Sequence, residues 1–187
     1  IDDIPKKAKE LGQNTVAITD HGNMFGAVKF YRACVEEGVK PIIGCEVYLA
    51  PTSRLEKSKI NNTAYYHLVL LVKNEKGYKN LSHIVSLGYI EGFYIKPRVD
   101  IESLKKYSDG LIALSACISG YIPRCILSGK INEAKEHINL MQQIFGKDDF
   151  YLEIQNHGLE DELAVNRALA DLSKDTNAPL VCTNDVH

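Results

Sequence analysis

Most of the side chains able to hold a metal ion in this 187-residue chain gather at one kind of place. Asp20 and His21 follow the run TVAIT at 15–19, Cys117 follows LIALSA at 111–116, His157 follows DFYLEI at 149–154, and Asp185 and His187 follow PLVCT at 179–183. Each run reads as a short strand, and the carboxyl ends of strands are where α/β barrels build their sites. Glu46 lies inside or near the end of its own run, PIIGCEVYL at 41–49, whereas His67 opens HLVLLV at 67–72 and so stands at the wrong end for a shared rim. Strand residues two apart share a face, so Asp185 and His187 can point at one site while Val186 points away. Imidazole and thiolate favour zinc, carboxylates admit manganese or magnesium and can bridge two ions, and the mixture argues for zinc or manganese over calcium. His83 and His137 fall within helical patterns, and Cys34, Cys45, Cys125 and Cys182 read as small buried apolar residues.

Six strand runs alternate with helical stretches: Ile4 to Leu11, Met24 to Glu37 stopped by Gly38, roughly 76–90, roughly 131–145 stopped by Gly146, and roughly 159–174. Strands alternating with crossover helices imply a parallel sheet, either a (β/α) barrel or an open doubly wound sheet. The polar stretch 51–65, PTSRLEKSKINNTAY, is too long for a tight connection and reads as a mobile loop. In GFYIKPRVD, the alternating Tyr94, Lys96 and Arg98 could share a face and meet a phosphate or a base; a solvated edge strand or loop is the plainer alternative.

Bulk properties bound the rest. A 45% hydrophobic, 25% charged chain of this length fits one globular domain and excludes disorder. A formal net charge of -2 carries no global nucleic-acid footprint, so any DNA contact is local or made by a larger parent. Five cysteines without a CxxC pair point to a reducing cytoplasm, and no apolar run approaches the roughly 20 residues of a membrane span. The start, IDDIPKKAKELG, reads as a first helix without its preceding strand, so the chain is expected to be a piece of a longer one.

The blocks ITDHGNMFGAVKFY, GVKPIIGCEVYLAP, YYHLVLLVKNEKGYKNLSHIVSLGYIEGFYIKPRVD, GLIALSACISG, FYLEIQNHGL and PLVCTNDVH resemble, from the first residue to the last, the PHP (polymerase and histidinol phosphatase) domain that opens the alpha subunit of bacterial DNA polymerase III. The resemblance selects the barrel: it implies a distorted seven-stranded (β/α) barrel holding up to three metal ions with nine ligands, here lacking its first strand. It implies that His21, Glu46, His67, Cys117, Asp185 and His187 are metal ligands. His157 is an additional candidate, Asp20 is a supporting neighbour, and Asp20, His21 and Asp185 are the candidate catalytic residues. A His-x-His motif and an acidic residue, about three of the nine ligands, are expected upstream of Ile1. The implied parent is a DNA-directed DNA polymerase whose polymerase carboxylates lie outside this chain. Within that parent the domain would be a 3′ to 5′ exonuclease or a brace that docks a separate proofreading subunit, reaching DNA through the rest of the alpha subunit. A free-standing phosphatase, such as one acting on histidinol phosphate, is the alternative.

Overall fold

A computed structural model describes residues 1–187. Its elements are α1 (Asp3–Glu10), β1 (Thr15–Ile18), α2 (Ala27–Glu37), β2 (Lys40–Leu49), β3 (Tyr66–Val72), α3 (Glu75–Ile90), β4 (Arg98–Val99), α4 (Ile101–Tyr107), β5 (Leu111–Leu114), α5 (Tyr121–Leu127), α6 (Ile131–Phe145), β6 (Phe150–Ile154), α7 (Glu160–Thr176) and β7 (Leu180–Cys182). All six expected strands are present. Two short helices, α4 and α5, and the two-residue β4 lie in stretches too short to show a period.

The sheet runs β1-β2-β3-β5-β6-β7, with β4 pairing to the end of β2. It is a curled, incomplete barrel, because residues of both terminal strands, Val16 and Val181, line one cavity of about 780 Å³. Alternation of side chains sorts the strands into two layers. Cys45, Val47, Leu49, Leu68, Leu70, Leu111, Ala113, Phe150 and Leu152 face outward and join α3, α6 and α7 in a core of 23 buried residues. The residues between them face the lumen: Val69, Leu114 and Ala116 form a smaller cluster against Leu71, Ile112, Tyr151 and Val181.

The all-parallel expectation fails at one strand. β3 runs antiparallel to both of its neighbours, β2 and β5, while the other ladders are parallel. Residues 50–65 join β2 to β3 without a helix, so β3 returns from the far rim instead of crossing over. The opening residue of an antiparallel strand lies at the rim where the parallel strands end, which places His67 with the other candidates.

Residues 51–65 are held more firmly than their polarity suggested. The Arg54 guanidinium donates to Asp100 at 3.0 Å and to Glu91 at 2.7 Å, and the loop tip closes as an Ile60↔Thr63 bridge across Asn61 and Asn62, both at positive φ (49° and 62°). Asparagine tolerates that conformation, and the two-residue hairpin turn needs it at both positions.

Candidate metal centre

Backbone pairing builds the site around Glu46. In the β2–β3 ladder Glu46 faces Val69 and Tyr48 faces His67, so Glu46, Tyr48 and His67 share the lumen-side face. The β1–β2 pairing continues past the strand end: Glu46 N–H donates to Asp20 O at 3.1 Å and Gly22 N–H to Glu46 O at 2.9 Å, which sets His21 beside Glu46. Gly22 is at φ +67°, and a Cβ there would stand 2.8 Å from the Tyr48 ring, so the turn that presents His21 requires glycine. His67 N–H donates to Ser119 O, which brings the loop carrying Cys117 against β3.

The side chains converge. Glu46, 1% exposed, has Oε1 against His67 Nδ1 and 3.4 Å from His21 Nε2, while its Oε2 lies 3.3 Å from His187 Nε2. Asp185 Oδ1 is 3.3 Å from His187 Nε2, and Cys117 Sγ is 3.8 Å from His67 Nδ1. His187 Nδ1 lies 2.9 Å from Thr19 O, so donation to that carbonyl turns Nε2 toward the cluster, the outer hydrogen bond that orients a ligating imidazole.

His21, Glu46 and His67, and likewise Glu46, Cys117 and Asp185, offer donor atoms within 4.8 Å of one another. Ligands about 2 Å from one ion lie at most about 4 Å apart, so both sets need only small side-chain adjustments, and Glu46 belongs to each. Glu46 Oε1 meets no donor in hydrogen-bonding geometry despite this crowding. A buried carboxylate oxygen surrounded by nitrogen and sulfur but bonded to none fits a cation-binding role.

The electrostatics match. Burial pushes the Glu46 carboxyl upward, but the close approach of His67 and the neighbouring His187 and His21 imidazoles hold it below its ordinary value. Burial pulls His67 down, and its contacts with Cys117 and Glu46 outweigh this and push it up to about 9. Burial also lowers His21.

Three expected residues stand apart from this cluster. The Asp20 carboxylate lies beside Gly26, just before α2, and it is the Asp20 carbonyl that serves the site, through Glu46 N–H. His157 is held at both ring nitrogens, by Glu162 Oε1 at 2.6 Å and Asn184 O at 2.9 Å, which makes it a brace for the segment leading to Asp185. Arg98 is 1% exposed and does not share a face with Lys96. Its guanidinium donates to the carbonyls of Glu56 and Ala64 at 2.7 and 3.2 Å and stacks on Tyr94, so it is spent inside the protein and corrects the phosphate-contact reading. Ile95, at φ +65°, interrupts the extended backbone on which that alternation relied.

Tyr48 and Tyr65, which wall the histidines, were missed. Their ring centroids lie 5.5 and 6.0 Å from that of His67, and Tyr48 could have been found because it stands two residues beyond Glu46 on one strand.

The model of the PHP domain family matches residues 1–157. The chain belongs to the PHP domain family. Among curated relatives, this PHP domain is 50% identical over its whole length to the DNA polymerase III subunit alpha of Borreliella burgdorferi and 49% identical over 97% of its length to that of Treponema pallidum. The Thermus aquaticus subunit is 44% identical over the whole chain. The PHP domain spans 16% of each of these relatives. A crystallised Bifidobacterium adolescentis protein assigned as a metal-dependent phosphoesterase shares the fold, with a TM-score of 0.63 over 98% of this chain and 81% of its own, at 11% identity. No helix is long and apolar enough to cross a membrane.

Proposed function

We propose that this PHP domain belongs to the alpha subunit of a replicative DNA polymerase and holds divalent ions at a phosphoesterase site. The observation that carries the proposal is the convergence of His21, Glu46, His67, Cys117, Asp185 and His187 on one rim, with Glu46 common to two ligand sets. The nitrogen and sulfur donors favour zinc, and the carboxylates leave manganese as the second choice. A bound divalent ion would supply Lewis acidity for attack of water on a phosphoester. The protein's part is to fix the donors: Glu46 would serve both ligand sets, the Thr19 carbonyl orients His187, and the Tyr48 and Tyr65 rings pack beside His67.

The surroundings suit a nucleotide strand better than a small monoester. A groove of about 560 Å³ opens on His67, lined by Lys59, Asn61, Asn62, Tyr65, Ser119 and Arg124. Neither Lys59 nor Arg124 pairs with an acid, so both cations are free for phosphate, and Tyr65 offers a stacking face. Lys96 lies 5.4 Å from the Tyr48 ring centroid. Tyr94 packs against the Arg98 guanidinium instead. The remainder of the alpha subunit, DNA reached through it, and a separate proofreading subunit are the proposed partners, in a bacterial cytoplasm.

Zinc and manganese titrations of the domain carrying the upstream His-x-His segment and of its His187→Ala variant, followed by assays on single-stranded DNA and on a phosphomonoester, test the proposal. The parent is expected to bind metal, to hydrolyse DNA in preference to the monoester, and to lose both properties in the variant. Preference for the monoester would favour a free-standing phosphatase, metal binding without hydrolysis would favour a docking module, and no binding would refute the site.

A further inference from the structure

β6 contributes no residue to the metal cluster, yet it carries a carboxylate where its lumen-facing neighbours Tyr151, Val69, Leu114 and Val181 are apolar or aromatic. Glu153 is 5% exposed. Its N–H donates to Ser115 Oγ at 2.8 Å, at the end of β5. Its Oε1 accepts from the Thr183 hydroxyl, just past β7, and from Gln155 Nε2 at 3.2 Å, and that same amide reaches Thr183 Oγ1 at 3.2 Å. Its Oε2 is buried without a partner in the cavity that Glu46, Asp185 and His187 also line.

Glu153 thus lies between two strand ends that both depart from ordinary backbone geometry. Ala116, next to Cys117, is at φ 61° and Asp185 is at φ 49°, conformations that non-glycine residues keep only where their surroundings enforce them. We infer that Glu153 is a positioning residue of the metal centre: its backbone N–H holds Ser115, two residues before Cys117, and its buried carboxylate holds, through Thr183, the segment that presents Asp185 and His187. An apolar residue would keep the N–H bond to Ser115 but lose the carboxylate's hold on Thr183, and with it the link between the two arms. The unpaired oxygen is the cost of placing a carboxylate there. The inference rests on the metal-binding reading proposed above.

The test uses the 187-residue chain with Cys182→Ser, which removes the exposed thiol and leaves the half-buried Cys117 as the most accessible one. Glu153→Ala and Thr183→Val are expected to weaken zinc binding about 10–100-fold, as loss of an outer hydrogen-bonding partner does, and to diminish the thiolate-to-metal absorption band of the cobalt-loaded protein. Glu153→Gln keeps the oxygen that accepts from Thr183 and should recover most of the affinity. If it falls as far as Glu153→Ala, Glu153 is itself a ligand and the inference is overturned. A lowered melting temperature with unchanged zinc affinity and cobalt band would overturn it too, by showing a merely structural role. In metal-free protein, Cys117 should react faster with iodoacetamide in Glu153→Ala than in the parent, and equal rates would count against the link. Should the parent bind no metal while that rate still rises, the metal reading fails and the positional link stands.

Discussion

Glu46 shows how a single residue acquires a function that its type does not announce. One carboxylate in a largely apolar strand becomes the meeting point of three histidines: pairing on both sides of β2 aims His21 and His67 at it, and the segment after β7 brings His187. Glu46→Gln keeps the shape and removes the charge. It should lose most of the bound zinc, with a stability change within about 1 kcal/mol either way, since the metal-free protein gives up only its contacts with the imidazoles. Metal analysis beside urea unfolding decides it, and full metal content in the variant would remove Glu46 from the site. Arg98 is the opposite case, a cation that looks like a phosphate ligand and acts as a structural pin. Arg98→Met strands the carbonyls of Ala64 and Glu56 without donors and should destabilise the fold by about 2–3 kcal/mol while leaving zinc affinity and binding of single-stranded DNA unchanged. A selective loss of DNA binding would restore the phosphate-contact reading.

Among the elements, β3 and the loop before it matter most. Its antiparallel direction brings His67 to the rim where the other candidate ligands gather, and the loop is fastened to α4 by the Arg54–Asp100 pair. Asp100 also caps α4, accepting from Ser103 N–H at 3.0 Å. Burial pushes the Asp100 carboxyl upward, but the N–H groups of Arg54 and Ser103 and the guanidinium hold it below its ordinary value. A carboxyl depressed in the folded state contributes stability that is present above the ordinary value near pH 3.9 and is lost as pH falls through the folded value. Asp100→Asn should therefore lower stability at neutral pH by roughly 1–3 kcal/mol and flatten the acid limb of the stability curve below about pH 4. Unfolding midpoints from pH 2.5 to 7 check both parts, and an unchanged acid limb would show that Asp100 does not drive it.

At the scale of the whole molecule, the curled sheet leaves β1 and β7 without a ladder between them, and Thr19 O with His187 Nδ1 is one contact across the gap. The candidate ligands lie on both sides of it, His21 after β1 and Asp185 and His187 after β7. An ion held between them would close the open edge, so metal binding and folding should be coupled. Free zinc at about 100 times its dissociation constant would add about 2.7 kcal/mol and raise the melting temperature by roughly 5–10 °C over chelated protein. Calorimetry with and without chelator measures this. Equal melting temperatures would mean that the ion binds the folded and unfolded chains alike, or not at all.

The sequence alone determined the six main strands, five of the helices and the chemical character of the site, because apolar alternation and strand-end polar residues are local signals that survive without coordinates. It placed Cys117, Asp185 and His187 at strand ends and marked the out-of-place His67 as a mismatch. Tertiary structure decided the direction of β3, and with it the membership of His67, because strand direction depends on how a polar 16-residue connection returns, which no period encodes. It also decided that Arg98 turns inward while Lys96 stays exposed, and that Glu153 lines the cavity beside the cluster. Those outcomes depend on which residues distant in the chain compete for each side chain, and only the closed packing of the sheet brings the competitors together.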